Sequence, residues 1–336
     1  MRETPPASRA AIVGLSGPSL LPEERDLLRE TPPLGVILFK RNVDTPDRLA
    51  ALIGALRDIV PDMLLCVDQE GGRVARLRPP FWDAHPPAAA LGALYAREPK
   101  AGLRAAFLCG ALIGAQCADA GFDLVCAPVL DLYVPGADAV IGDRAFSADP
   151  EAVSVLGAAF ADGLLAAGIQ PVGKHAPGHG RSLVDSHLAL PELDGLDEND
   201  LLPFRANRNL PWMMTAHIRY RALDPDRPAT LSRTVIDEVL RRELGFTGLI
   251  VSDDLSMHAV SGEPGALAAS ALAAGCDLAL HCSGVLAETR SVLAASPPPD
   301  AALRARLEAA TALASARKQT LDRAALAAER ARLLSW

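Results

Sequence analysis

Two clusters of polar residues interrupt a largely apolar chain. The first reads Lys174-His175-Ala176-Pro177-Gly178-His179-Gly180 and is followed by Asp185-Ser186-His187. Pro177, Gly178 and Gly180 mark it as a turn-rich loop. Asp185 and His187 lie two residues apart, near enough for the carboxylate to hold the imidazole in one tautomer and raise its pKa. An imidazole titrates close to neutrality, so this pair suits proton transfer. The second cluster runs from Gly248 to Met257 and contains the adjacent carboxylates Asp253 and Asp254. One of them could act as nucleophile at an anomeric carbon. The other could cap a short helix that begins at Leu255. Spacing alone does not assign the two roles.

Further polar residues fall where apolar runs end. Asp68-Gln69-Glu70-Gly71-Gly72-Arg73 ends one run, Asp131 the next, and Lys174-His175 a third. His217, Asp253-Asp254 and His281 end three more. Charged groups beside buried segments are paired or functional, and so many in equivalent positions describe an active site. Arg76, Arg144 and Lys174 lie near these ends, where they could donate hydrogen bonds to sugar hydroxyls or an acetamide carbonyl. An isolated arginine there would instead be a surface ion pair. Lys174 is also expected to favour an ionised Asp253 by charge proximity. A competing reading makes His175, His179 and His187 a metal cluster. The glycine-rich loop between them suits a fixed ligand geometry poorly, so no metal and no cofactor is expected.

The elements that must carry these residues follow from hydropathy. Short apolar runs at 11–15, 34–39, 63–67, 124–130, 169–173, 212–215, 249–251 and 277–280 are continuous rather than alternating. That pattern belongs to parallel strands buried on both faces. Helical signals lie between them. Thr45-Pro46 opens a helix over 47–59, Asp149-Pro150 opens one that reaches Gly168, and Ser232 opens one that stops at Leu244-Gly245. Eight such repeats predict a closed (β/α)8 TIM barrel, in which the carboxyl ends of the strands face the active site. A doubly wound open sheet is the alternative, but no G-x-G-x-x-G follows the first run. The whole chain, 1–336, is expected to form one catalytic domain. Its Ala/Arg/Leu-rich segment 301–336 is read as a C-terminal helical extension packed on the barrel.

Composition narrows the classes. The chain has 336 residues, with 33 Lys and Arg against 41 Asp and Glu, a formal net charge of −8. A nucleic-acid binder would be basic, and 4% aromatic residues provide few stacking platforms. No uninterrupted apolar run approaches the roughly 20 residues of a membrane span, and no signal peptide is read. The six cysteines show no C-x-x-C pair, which suits reduced thiols and a cytoplasmic protein.

Taken in order, Asp68-Gln69-Glu70-Gly71-Gly72-Arg73-Val74, the Lys174-to-His187 motif and Ser252-Asp253-Asp254-Leu255-Ser256-Met257 resemble glycoside hydrolase family 3. More closely, the chain is similar to the single-domain β-N-acetylhexosaminidases of peptidoglycan recycling. The likeness runs from about Leu34 to Cys282. It implies that Asp253 is the nucleophile and that His187 is the acid/base, oriented by Asp185. It further implies that Asp68, Arg76, Arg144, Lys174, His175 and His217 bind the sugar. Ala176 departs from the family pattern, which often has an aromatic residue there. The implied reaction is exo-acting, retaining removal of terminal β-linked GlcNAc from GlcNAc-1,6-anhydro-MurNAc (peptide) muropeptides, by a monomer without nucleic-acid or membrane partners. Other readings are phosphorolysis, since a neutral histidine base would not repel phosphate, another β-glycosidase of the family, or a metal-dependent barrel hydrolase. A substrate-assisted hexosaminidase would instead use Asp253 and Asp254 as a pair on the acetamide, and a sugar sensor would need neither Asp253 nor His187.

Overall fold

The computed structural model describes residues 7–186 and 188–335. The first strands are β1 (Arg9–Gly14), β2 (Pro33–Leu38), β3 (Leu64–Val67), β4 (Leu124–Val125) and β5 (Gln170–Ala176). They are followed by β6 (Glu192–Leu193), β7 (Trp212–Thr215), β8 (Arg219–Tyr220), β9 (Leu249–Val251) and β10 (Ala279–His281). Eight of them form one parallel sheet in the order β10-β1-β2-β3-β4-β5-β7-β9, while β6 and β8 pair with each other outside it. A parallel bridge between Val251 and Leu278, with Ser252 N–H donating to the Leu278 carbonyl at 3.1 Å, joins the ends of the sheet into a barrel. Every expected apolar run overlaps one barrel strand.

The β4 ladder is shorter than its apolar run because Pro128 has no N–H to donate. The chain nevertheless stays alongside β5, with Leu130 N–H bonded to the Lys174 carbonyl at 2.6 Å. That contact carries Asp131 to the mouth of the barrel. Alternate strand residues face inwards and outwards. Ile12, Cys66, Val172, Trp212 and Leu249 pack together inside the barrel, while Val13, Val36, Leu65 and Ile250 belong to the layer beneath the helices.

The helices are α1 (Pro22–Glu30), α2 (Pro46–Arg57), α3 (Ala88–Arg97), α4 (Pro99–Ala120), α5 (Pro150–Ala166) and α6 (Glu198–Ala206). Next come a wide-turn helix, Thr234–Glu243, then α7 (Pro264–Ala274), α8 (Leu286–Ala295), α9 (Ala301–Arg317) and α10 (Arg323–Leu334). The caps follow the local sequence. Thr45 accepts from Arg48 N–H, Asp149 from Glu151 N–H and Ser232 from Val235 N–H. Over 22 residues, α4 is long and apolar enough to cross a membrane, but 67% of its most apolar stretch is buried in the fold. It packs closely on α5 through glycines, and a Cβ at Gly110 would meet the Phe160 carbonyl oxygen at 2.0 Å. From α9, Leu303 and Ala310 join the interior cluster, and Arg306 bonds Asp277 at 2.6 Å. α10 lies along α4, tied by the Arg104–Glu329 pair at 2.6 Å. All six cysteines are buried free thiols.

Candidate active site

A cavity of about 440 Å³ opens at the carboxyl ends of the strands, within the usual range for small-molecule sites. Asp68, Arg76, Arg144, Lys174, His175, Asp185 and Asp253 all line it. The fold therefore brings together residues from the carboxyl ends of four strands, β3, β4, β5 and β9, and the segments that follow them. His187, the expected acid/base, lies outside the described residues.

One wall is a chain of alternating charges. Arg76 Nη2 is 3.0 Å from Asp68 Oδ2, and Lys174 Nζ is 2.9 Å from Asp68 Oδ1. The same Nζ lies 2.7 Å from Glu70 Oε1. Arg144 grips Glu70 with two hydrogen bonds of 2.9 Å each, a fork only guanidinium offers. Burial by itself would raise the Asp68 and Glu70 pKa values. The cations outweigh it, holding Asp68 well below the usual carboxylate range and Glu70 at about 2. Burial likewise works against a charged Lys174, but Asp68 and Glu70 overcome it and keep the ammonium protonated. Lys174 thus serves these two carboxylates. The largest influences that keep Asp253 ionised come from other groups, so proximity to Lys174 is not the main cause that the sequence suggested.

A second buried carboxylate organises the β5 end. Asp131 accepts from His175 Nδ1 at 2.7 Å, from His175 N–H, and from His179 N–H at 2.6 Å. The bond to Nδ1 leaves His175 Nε2 for the cavity side, where it lies 3.5 Å from Arg144 Nη2. Glu70 and Asp131 were not singled out as binding residues by sequence reasoning. Their signal was nonetheless present, since each is a carboxylate at the end of an apolar run.

Asp253 and Asp254 divide the labour. Both line the cavity, but the Asp254 carboxylate is engaged, accepting from Ser256 N–H and Cys282 N–H at 2.9 Å each and from the Ser256 hydroxyl at 2.7 Å. Asp253 lines the cavity, and its Oδ1 accepts the Asp254 N–H at 2.8 Å. Among the described residues, no hydrogen bond engages its second oxygen. Burial would raise the Asp253 pKa, but His217, His175 and the Asp254 N–H outweigh it and hold the carboxyl below its ordinary value. Asp253 is therefore a carboxylate, as a nucleophile must be.

His217 does not line the cavity, and this corrects its expected place among the sugar contacts. It is fully buried. Its Nε2 donates to the Asp254 carbonyl at 2.9 Å, and its Nδ1 meets the Thr230 hydroxyl at 2.9 Å. Thr230 in turn bonds Thr215 at 2.8 Å, and Thr215 Oγ1 accepts the Asp253 N–H at 3.2 Å. Both ring nitrogens are engaged, so His217 braces the backbone of Asp254 and, through Thr230 and Thr215, that of Asp253. Among the described residues, no group of three His, Cys, Asp or Glu is arranged to hold a metal ion.

An ionised carboxylate lining a cavity in a barrel mouth, beside a wall of polar side chains, fits a barrel enzyme of the glycoside hydrolase class. Comparison with known proteins agrees. A model described as the glycosyl hydrolase family 3 N-terminal domain matches residues 19–310. The β-hexosaminidase of Alkalilimnicola ehrlichii is 45% identical, covering 86% of this chain and 84% of that one. The β-hexosaminidase of Methylococcus capsulatus is 44% identical, covering 80% and 81% respectively. NagZ from Neisseria gonorrhoeae, solved in complex with N-trifluoroacetyl-D-glucosamine, superposes with a TM-score of 0.84 at 32% identity, covering 98% of each chain. The chain belongs to glycosyl hydrolase family 3.

Proposed function

We propose that this β-hexosaminidase is an exo-acting, retaining β-N-acetylglucosaminidase, with Asp253 as nucleophile and His187 as acid/base. The free oxygen of Asp253 attacks the anomeric carbon, the glycosidic C–O bond breaks, and His187 protonates the departing oxygen. Water then attacks the glycosyl ester, gives its proton to His187, and releases both Asp253 and the sugar with net retention. Asp185, which lines the cavity, orients His187. Asp68, Lys174, Arg76, Arg144 and His175 hold the sugar, with Asp68 accepting from its hydroxyls and the cations donating to its oxygens. The natural substrate assigned to it is GlcNAc-1,6-anhydro-MurNAc, with or without its peptide, cleaved by a cytoplasmic monomer during cell-wall recycling. Support for an amino-sugar substrate comes from the likeness to NagZ, solved with an N-acylglucosamine derivative.

The observation that carries the reading is a contrast in hydrogen bonding: Ser256 and Cys282 occupy both oxygens of Asp254, whereas only Oδ1 of Asp253 accepts a bond, although both residues line the cavity. The test is inactivation by a fluorinated GlcNAc-type reagent, followed by peptide mapping. The adduct is expected on Asp253. An adduct on Asp254, or none with an enzyme that turns over chromogenic β-GlcNAc, would remove this mechanism. Release of GlcNAc from the anhydro-disaccharide, compared with chitobiose, tests the natural substrate.

A further inference from the structure

Ser186 is 2% exposed between neighbours that face solvent, Leu183 at 75% and Leu188 at 74%. A buried serine in such a loop is an anchor. Two contacts hold it. Its hydroxyl lies 3.0 Å from His179 Nε2, and its carbonyl accepts the Ala259 N–H at 3.2 Å. His179 is fixed from below by the bond of its own N–H to Asp131 and by edge-to-face packing on His175, with ring centroids 5.7 Å apart. Ala259 belongs to the turn after Asp253-Asp254, in which Met257 N–H bonds the Asp254 carbonyl at 3.1 Å. Ser186 therefore joins the loop after β5 to Asp131, beyond β4, and to the nucleophile's own loop after β9.

We propose that His179 is a positioning residue for proton transfer, acting through its bond to Ser186 to pin the Asp185-Ser186 peptide, the one that precedes His187 in the chain, at the cavity. This rests on the reading of His187 as acid/base. The geometry selects the neutral ring with its proton on Nε2, which donates to the Ser186 hydroxyl. Nδ1 is buried and has no hydrogen-bond partner among the described residues, so a proton there would be an unsatisfied buried donor. Burial, and then the neighbouring His175, push the His179 pKa down to about 4, which keeps the ring neutral at ordinary pH. A latch of this kind governs where the acid sits, while Asp68 and Arg144, which hold the sugar, belong to the segments after β3 and β4.

The experiment compares Ser186→Ala, Ser186→Thr, His179→Phe and, as reference, His187→Ala across aryl β-GlcNAc substrates of increasing leaving-group pKa. With Ser186→Ala and His179→Phe, kcat/KM is expected to fall about tenfold for the poorest leaving groups and to change little for activated ones. For Ser186→Ala the inhibition constant of free GlcNAc should stay as in the wild type, and Ser186→Thr, which keeps the hydroxyl, should retain activity on the poor substrates. A uniform loss across the series for Ser186→Ala, or no loss, overturns the latch when His187→Ala itself shows leaving-group selectivity. If His187→Ala shows no selectivity, the acid/base reading falls and the latch with it.

Discussion

The Asp254 N–H donates to Asp253 Oδ1 at 2.8 Å, while the Asp254 carboxylate is taken up by Ser256 and Cys282. Two identical side chains in sequence thus meet opposite surroundings. One aims the other. This predicts distinct phenotypes for their replacement. Asp253→Ala should lower kcat by about a thousandfold or more, with partial rescue by azide, because the carbon–oxygen bond to the enzyme can no longer form. Asp254→Ala should instead lower stability by about 1–3 kcal/mol, since the Cys282 N–H loses its buried acceptor. Steady-state kinetics and thermal unfolding of both variants check this, and reversed phenotypes would contradict it.

Glu70 should couple stability to acid pH. Its pKa falls from an ordinary 4.5 to about 2 in the fold: burial opposes this shift, but Arg144 and Lys174 overcome it. A depressed carboxylate pKa stabilises the fold fully above the unfolded value, and that contribution is lost as pH falls through the folded value. The gap in urea midpoint between wild type and Glu70→Gln should therefore be widest above pH 4.5 and narrow toward about 2. A gap independent of pH would show that the charge of Glu70 is not what holds Lys174 and Arg144.

The hydroxyl pair of Thr215 and Thr230 makes a separate prediction. Thr230 bonds His217 and Thr215 but does not line the cavity. Thr230→Val should lower kcat about tenfold while KM changes little, because it loosens the backbone of Asp253 without touching sugar. A change in KM alone would return His217 and its neighbours to the binding wall.

Metal removal should have no effect on rate. Dialysis against a chelator is expected to leave turnover of chromogenic β-GlcNAc unchanged, since His175 and His179 are committed to Asp131 and Ser186. Activity lost on chelation and recovered with zinc would move the histidines from proton transfer to coordination.

The barrel was legible because strands covered on both faces must be continuously apolar, so all eight left a mark in the sequence that no exposed loop imitates. The helix starts at Thr45-Pro46 and Asp149-Pro150 were equally local, since a cap bonds a donor only a few residues away. The positions of Asp68, Lys174, His175 and Asp253 followed from register, as each ends a run whose carboxyl end must face the cavity. What sequence could not assign were the partners. Glu70 meets Arg144 across 74 residues and Asp131 meets His175 across 44, and such pairings exist only after the barrel closes. The same holds for His217, whose place after an apolar run suited a sugar contact equally well. Its side chain stays out of the cavity lining because Thr230 and the Asp254 carbonyl satisfy both ring nitrogens. Local chemistry along the chain determined the elements and the residue types at their ends. Burial and closure decided which way each side chain faces, because a buried polar group takes its orientation from whichever donors and acceptors the fold places within about 3 Å of it.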